Sequence, residues 1–267
     1  MDTAAAVAPG PAPGPGCDLV RVDLGPGVVA GFTRRPGGVS TGAWSGLDLG
    51  LHVDDDPEHV AANRRLLAAE VGAPVVFARQ VHGTRVATVT AGHADRHDVL
   101  GTDLGADEGG HDALVTAAAG TALGVLVADC VPVLLADPDA GVVATAHAGR
   151  PGLLAGVLDA VLDAMVAAGA RASRVRVALG PSVGGCCYEV PAELLEAGAA
   201  ILPAVRARTT WGTPAMDLRA GCTAVLARRG VGRVTAVGGC TLEDEGLYSY
   251  RRARVTGRFA GAVMMAP

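Results

Sequence analysis

The sequence predicts an α+β fold, on three observations. Short β-branched runs and helical stretches are interleaved along the chain. The strand-like runs outnumber what a simple doubly wound sheet needs. No G-x-G-x-x-G follows a strand, which argues against a Rossmann domain. The 267 residues allow one large or two small domains. Half are hydrophobic and 18% are charged, so a packed core is expected and global disorder is not. The 38 glycines and 16 prolines show no G-X-Y period, which excludes collagen.

Residues 1–18 are rich in Ala, Pro and Gly, with no basic segment and no long apolar one. They read as a disordered lead-in, not as a secretory signal. Residues 19–267 read as a single domain, because no second linker of comparable bias follows. Val28–Phe32 is a short strand. Pro57–Val71 has helical spacing, with proline at its start and the acidic run Asp54–Asp56 before it. Val75–Ala78 and Arg85–Thr90 are strand-like, with His82 in the turn between them. The polar, Gly/Asp-rich stretch 92–111 reads as a surface loop. Ala122–Ala128, Val131–Ala136 and Val142–Ala146 are three apolar strands, and Pro138–Gly141 is the turn joining the last two. Leu153–Ala168, Pro191–Leu202 and Leu218–Arg229 are helical. Val175–Leu179, Val234–Val237 and Gly261–Met265 complete the set as strands.

Composition excludes several functions. All 22 basic residues are arginine, so Schiff-base lysine chemistry and a P-loop lysine are ruled out. The net charge of −5 with no basic run argues against a nucleic-acid partner. No apolar stretch reaches the roughly 18 residues of a membrane span. The 6 cysteines, with no export signal, suggest reduced thiols and a cytoplasmic location.

Most of the 7 histidines lie in polar loops or on the helix around His59. His82 and His147 instead directly follow apolar strands, and so does Cys130. Ends of adjacent strands are close in space. Two imidazoles and a thiolate would make a three-ligand site with an open fourth position, the pattern of a catalytic zinc. The alternative is a buried cysteine beside two satisfied histidines. The long separations of these residues match no short zinc motif. The vicinal pair Cys186-Cys187 follows a Gly-rich segment and reads as two small residues in a tight turn. Cys222 and Cys240 read as core. Tyr248-Ser249-Tyr250-Arg251-Arg252 sets aromatic faces beside guanidinium forks, which suits a base and a phosphate, or equally a solvated basic turn.

The ordered pieces RPGGVS (35–40), DLGLHVDDDP (48–57), RQVHG (79–83), DALVT (112–116), ADCVPVLL (128–135), AHAG (146–149), GPSVGGCCYEV (180–190) and CT…YSYRR (240–252) with TGR (256–258) are distinctive together. On them the chain resembles the laccase-domain family, also described as peptidoglycan editing factor or purine nucleoside phosphorylase-like proteins. The resemblance implies a single layered α/β/β/α sandwich related to cysteine-hydrolase-like toxins. It implies zinc, with copper the lesser candidate, on His82, Cys130 and His147. It implies phosphorolysis of adenosine, inosine and methylthioadenosine, with some adenosine deamination, so that purine nucleosides and phosphate are the partners.

Phosphorolysis needs cations for phosphate and an acid or Lewis acid for the leaving purine. Arg35, Arg150 and Arg251 are the expected phosphate ligands. Asp129, next to Cys130, is expected to orient a ligand, relay a proton or shape a turn. Three departures from the family pattern stand out. The segment His147–Gly152 reads HAGRPG for HAGWRG, Asp48 replaces an asparagine, and Arg34 replaces a threonine. Competing readings are a copper oxidase, a metal-free Cys130–His147 amide hydrolase editing peptidoglycan precursors, and a non-enzymatic cell-wall or division partner. Without an H-x-H pair, the histidines do not furnish a multicopper cluster.

Overall fold

A computed structural model describes residues 16–94, 103–105 and 109–267. The fold is mixed α/β, with mixed sheets. The strands are β1 (Cys17–Arg21), β2 (Val28–Gly37), β3 (Val75–Val76), β4 (Val86–Thr88), β5 (Ala113–Thr116), β6 (Ala122–Val127), β7 (Val131–Asp137), β8 (Val142–Ala148), β9 (Arg176–Leu179), β10 (Arg206–Arg208), β11 (Pro214–Met216), β12 (Arg233–Ala236) and β13 (Phe259–Met265). The helices are α1 (Pro57–Val71), α2 (Ala91–Ala94), α3 (Arg150–Ala155), α4 (Val157–Ala167), α5 (Ala192–Ile201) and α6 (Leu218–Arg228). One sheet runs β1-β2-β13-β6-β3, a second runs β12-β9-β7-β8-β5-β4, and β10-β11 form a hairpin.

Three apolar clusters hold these elements together. Phe32, Leu123 and Phe259 of the five-stranded sheet meet Leu114, Leu134 and Val143 of the six-stranded one. Residues of α4 and α6, among them Val161, Leu162, Val225 and Leu226, pack with Val133, Leu135 and Ala144. Leu67 and Val71 of α1 pack with Phe77 and Leu126. The strands β6, β7 and β8 are buried along their whole length, which is why they read as continuous apolar runs rather than alternating ones. None of the described helices is long and apolar enough to cross a membrane.

Helix α1 keeps its predicted limits. Asp56 accepts the Glu58 N–H at 2.9 Å, Pro57 occupies the first turn, and Gly72 closes the helix at φ 93°. The expected single helix over 153–168 is two helices, broken where Gly156 turns left-handed at φ 98°. Cys17 and Asp18, read as part of the lead-in, belong to β1, which pairs antiparallel with β2. Residues 1–15 of that lead-in lie outside the described residues. So does much of the 92–111 loop, including His97. Its described part carries Asp103, bound to Arg64 at 2.9 Å, and Leu104, which bridges Ala78.

Candidate metal centre

Sheet register assembles the site. The turn at Pro138–Gly141, with Gly141 at φ 66°, folds β8 back on β7 so that Val131 faces Ala148 and Pro132 faces His147. Cys130, one residue before β7, therefore sits at the His147 end of the hairpin. On the other flank β5 pairs with β8, Ala113 opposite Ala146, which brings Asp112 alongside. The His147 N–H donates to the Asp112 carbonyl at 2.7 Å. β4 lies beside β5, and the turn before it carries His82.

The three predicted donors converge. The ligand atoms of His82, Cys130 and His147 all lie within 4.8 Å of one another. His82 Nε2 is 3.6 Å from Cys130 Sγ, and the two imidazoles meet edge to face with centroids 4.6 Å apart. His147 is buried, Cys130 is half-buried and His82 is exposed. The site is thus closed behind and open in front.

Asp112, the first residue of the DALVT motif, organises the group. Its carboxylate accepts the backbone N–H groups of Val81 (3.1 Å), His82 (2.8 Å) and Gly83 (2.7 Å). These bonds hold His82 in the left-handed region, at φ 60°. The same carboxylate receives His147 Nδ1 at 2.8 Å, which leaves Nε2 as the ligand atom. Burial alone would raise its pKa, but the His147 bond and the backbone amides hold it below the ordinary carboxylate value.

Burial also opposes ionisation of Cys130 and His147, and their mutual attraction overcomes it. The imidazolium and the hydrogen bonds from both histidines bring the Cys130 thiol down to about 6. The thiolate and Asp112 lift His147 to about 9. A thiolate and two imidazoles match the donor chemistry of zinc. A Cβ on Gly149 would come within 2.5 Å of His82 Cδ2 and 3.0 Å of Cys130 Sγ, so glycine keeps the space between the donors clear. The residues fit a metal ion.

A cavity of about 670 Å³ opens from the triad. It is large enough for a nucleoside-sized ligand. Tyr188 and Tyr250 contribute aromatic faces, and Arg251, Arg254 and Arg258 contribute charge. Of the three expected phosphate ligands only Arg251 lines it, with its guanidinium 4.5 Å above Tyr188 and Nη1 donating to the Glu189 carbonyl at 2.8 Å. Arg35 lies elsewhere, over Tyr248, with Nε on the Ser45 carbonyl at 3.0 Å. Arg150 begins α3 and is not part of the lining, although its charge reaches Tyr188. Arg254 and Arg258 were missed. The TGR motif was the available signal for Arg258.

Asp129 ties the cavity wall together. Its backbone is left-handed at φ 94°. Its carboxylate accepts Thr241 Oγ1 at 2.6 Å and the Arg251 N–H at 2.7 Å, tying the Cys130 turn to the segment that carries the cavity arginine.

Residues 29–266 match the model of a family described as multi-copper polyphenol oxidoreductase laccase. A Streptomyces coelicolor protein named purine nucleoside phosphorylase is 50% identical over 238 residues, covering 88% of this chain and 94% of its own. A Deinococcus radiodurans protein of the same name is 40% identical over 248 residues, 91% of either chain. Among solved structures, a Neisseria meningitidis protein superposes with TM-score 0.80 at 34% identity, covering 94% of this chain and all of its own. YlmD from Geobacillus stearothermophilus gives TM-score 0.77 at 32% identity, over 91% of this chain and 93% of its own.

Proposed function

We propose, from the premise that the chain belongs to the multi-copper polyphenol oxidoreductase laccase family, that it is a zinc-dependent purine nucleoside phosphorylase. Its substrates on this reading are adenosine, inosine or methylthioadenosine, and adenosine deamination is a side activity. The observation that carries the reading is the cavity itself, where the His82–Cys130–His147 donors, two tyrosine faces and three arginines share one space. Relatives named purine nucleoside phosphorylase support it. We also read the chain from β1 onward as one domain, layered α/β/β/α, with the cysteine-hydrolase-like kinship implied by its resemblance.

Cleavage of a nucleoside builds positive charge on the sugar and negative charge on the departing base. Arg251 can grip phosphate with the donors not engaged by Glu189, and Arg254 and Arg258 add positive charge nearby. The faces of Tyr188 and Tyr250 that Arg251 and Arg254 do not cover give the purine ring flat surfaces to lie against. When bound, zinc supplies Lewis acidity toward a purine nitrogen, and toward water in deamination. Asp112 keeps His147 in the tautomer that presents Nε2.

One observation favours a second reading. Asp112, His147 and Cys130 form an acid–imidazole–thiol series, and the thiol is already lowered to about 6. That is the arrangement of a metal-free cysteine hydrolase acting on amides. The test is turnover of the three nucleosides by metal-replete protein, with and without phosphate, following free base and pentose 1-phosphate. Phosphate-dependent release of base supports the phosphorylase. No release from any of them, with zinc bound, overturns it.

A further inference from the structure

Away from the triad, three thiols and a carboxylate come together. The sulfurs of Cys186, Cys187 and Cys240 and a carboxylate oxygen of Glu243 all lie within 4.8 Å of one another. Two separate segments supply them. Cys186-Cys187 sit in a turn in which the Cys187 and Tyr188 N–H groups both donate to the Gly184 carbonyl at 2.9 Å. Cys240 reaches that turn through a parallel bridge to Ser182, and its sulfur accepts the Gly184 N–H at 3.3 Å. The Cys186 thiol points to Glu243 at 3.8 Å. Val183, Cys187 and Cys240 form a small buried cluster of their own, while Cys186 is half-buried and Glu243 is exposed. The donor group is therefore apolar behind and reachable from the Glu243 side.

We infer that Cys186, Cys187, Cys240 and Glu243 form a second, structural cation site, selective for a thiophilic ion and matched best by zinc. Three sulfurs and one oxygen complete a tetrahedron with no open position, the pattern of a structural site rather than a catalytic one. Zinc–sulfur bonds of about 2.3 Å put sulfurs roughly 3.8 Å apart, so from within 4.8 Å the sulfurs need to contract by no more than about 1 Å. Thiolate-rich donors exclude calcium and magnesium. A thiolate, not a thiol, is the ligand, so binding releases protons and tightens as pH rises.

The placement gives the site a purpose. Val183 and Tyr188 line the large cavity, and Thr241 holds the Asp129 carboxylate beside Cys130. An ion at the four donors pins both segments and so stiffens one wall of the cavity.

The test uses the full-length, fully reduced chain carrying Cys130→Ser, which removes the triad's only sulfur. Cobalt(II) is then the probe, because thiolate-to-cobalt charge-transfer absorption reports sulfur ligands alone. The expected result is one cobalt per chain with strong charge-transfer absorption, displaced by zinc. Adding Cys186→Ser or Cys240→Ser removes most of that absorption, and adding Cys222→Ser leaves it intact. Cys186 is on the rim, so its variant keeps the fold, which circular dichroism checks. Absence of the absorption in the Cys130→Ser chain overturns the site. So does absorption that survives both Cys186→Ser and Cys240→Ser.

Discussion

The Asp112 carboxylate receives His147 Nδ1 at 2.8 Å, and the same oxygen takes the His82 N–H at 2.8 Å. One buried acid thus orients two of the three donors, one through its ring and the other through its backbone. Removing the charge while keeping the shape isolates that role. Asp112→Asn is expected to weaken zinc binding by about ten- to a hundredfold, as for other partners of metal-bound histidine. Competition against a chromophoric chelator measures it. Wild-type affinity in the variant would mean that the imidazole is held by packing alone.

Cys130→Ser separates the two mechanisms. If the thiolate is a metal ligand, zinc content and nucleoside turnover fall together. If it is the nucleophile of a hydrolase, turnover disappears while any bound metal is unaffected. Metal analysis and an activity assay on the one variant decide between them.

The Cys130 thiol also has a signature without metal. Its pKa of about 6 lies well below the ordinary 9.0, because the protonated His147 beside it outweighs burial. Alkylation of the chelator-treated protein should rise through pH 6 and reach its plateau near neutrality. The other thiols behave oppositely. Burial pushes Cys17 up to about 12 and raises Cys187 and Cys222 as well, so they stay slow in that range. Peptide mapping after a timed iodoacetamide pulse resolves them. Labelling of Cys130 that begins only above pH 8 contradicts the ion pair.

The donors were legible in the sequence because each lies at or near the end of an apolar run and such ends collect at one edge of a sheet, although His147 falls within β8 and Cys130 directly precedes β7. Helix α1 was legible because its first-turn proline directly follows the acidic run Asp54–Asp56, whose last member caps it. Asp112 was not, since a buried acid before a strand looks like any loop end until its N–H partners are known. Of the three expected arginines, Arg251 lines the cavity and Arg35 and Arg150 do not. Arg35 and Arg258 both lie in family motifs, and only the pairing of β2 with β13 and the course of the chain before β13 decide which one reaches the cavity. The β10–β11 hairpin and β5 were too short to stand out from their surroundings. The thiol cluster joins positions far apart in the chain, with no spacing to announce it.

Asp48 makes stability depend on pH. It is fully buried; Oδ1 accepts the N–H groups of Gly50 (3.0 Å) and Arg258 (2.7 Å), and Oδ2 has no hydrogen-bond partner among the described residues. Burial, with Asp55 adding to it, raises the carboxyl from 3.8 to about 7. The unfolded chain ionises near 3.8, so between these values the folded state keeps a proton that the unfolded state releases. The contribution of Asp48 to stability therefore falls as pH climbs from about 4 to about 7 and levels off above. Asp48→Asn does not titrate. It is expected to raise Tm at pH 8 and to change it little at pH 4. Equal shifts at both pH values would show that burial does not hold the carboxyl protonated.

The cavity arginines carry the last prediction. Phosphate needs cations at the wall, and with no lysine in the chain arginine is the permanent positive side chain available. Arg251 stands over Tyr188 and is anchored by a single nitrogen to Glu189, which leaves other donors of its planar fork for an anion. Arg35 is anchored to the Ser45 carbonyl and lies over Tyr248, outside the cavity lining. The two residues therefore make a matched comparison, the same side chain inside and outside the cavity. Loss of a charge-assisted contact costs about 1.5–3 kcal/mol, or roughly ten- to a hundredfold. Arg251→Ala is expected to raise the KM for phosphate by that factor with zinc content unchanged, and Arg35→Ala to leave the KM near wild type. Adenosine deamination, which consumes water and not phosphate, should respond much less to Arg251→Ala. Because the Arg251 N–H that binds Asp129 belongs to the backbone, the substitution preserves that tie and tests the guanidinium alone. Steady-state rates at varied phosphate for both variants make the comparison. A larger effect from Arg35 than from Arg251 would place the anion outside the cavity and remove the main support for phosphorolysis there.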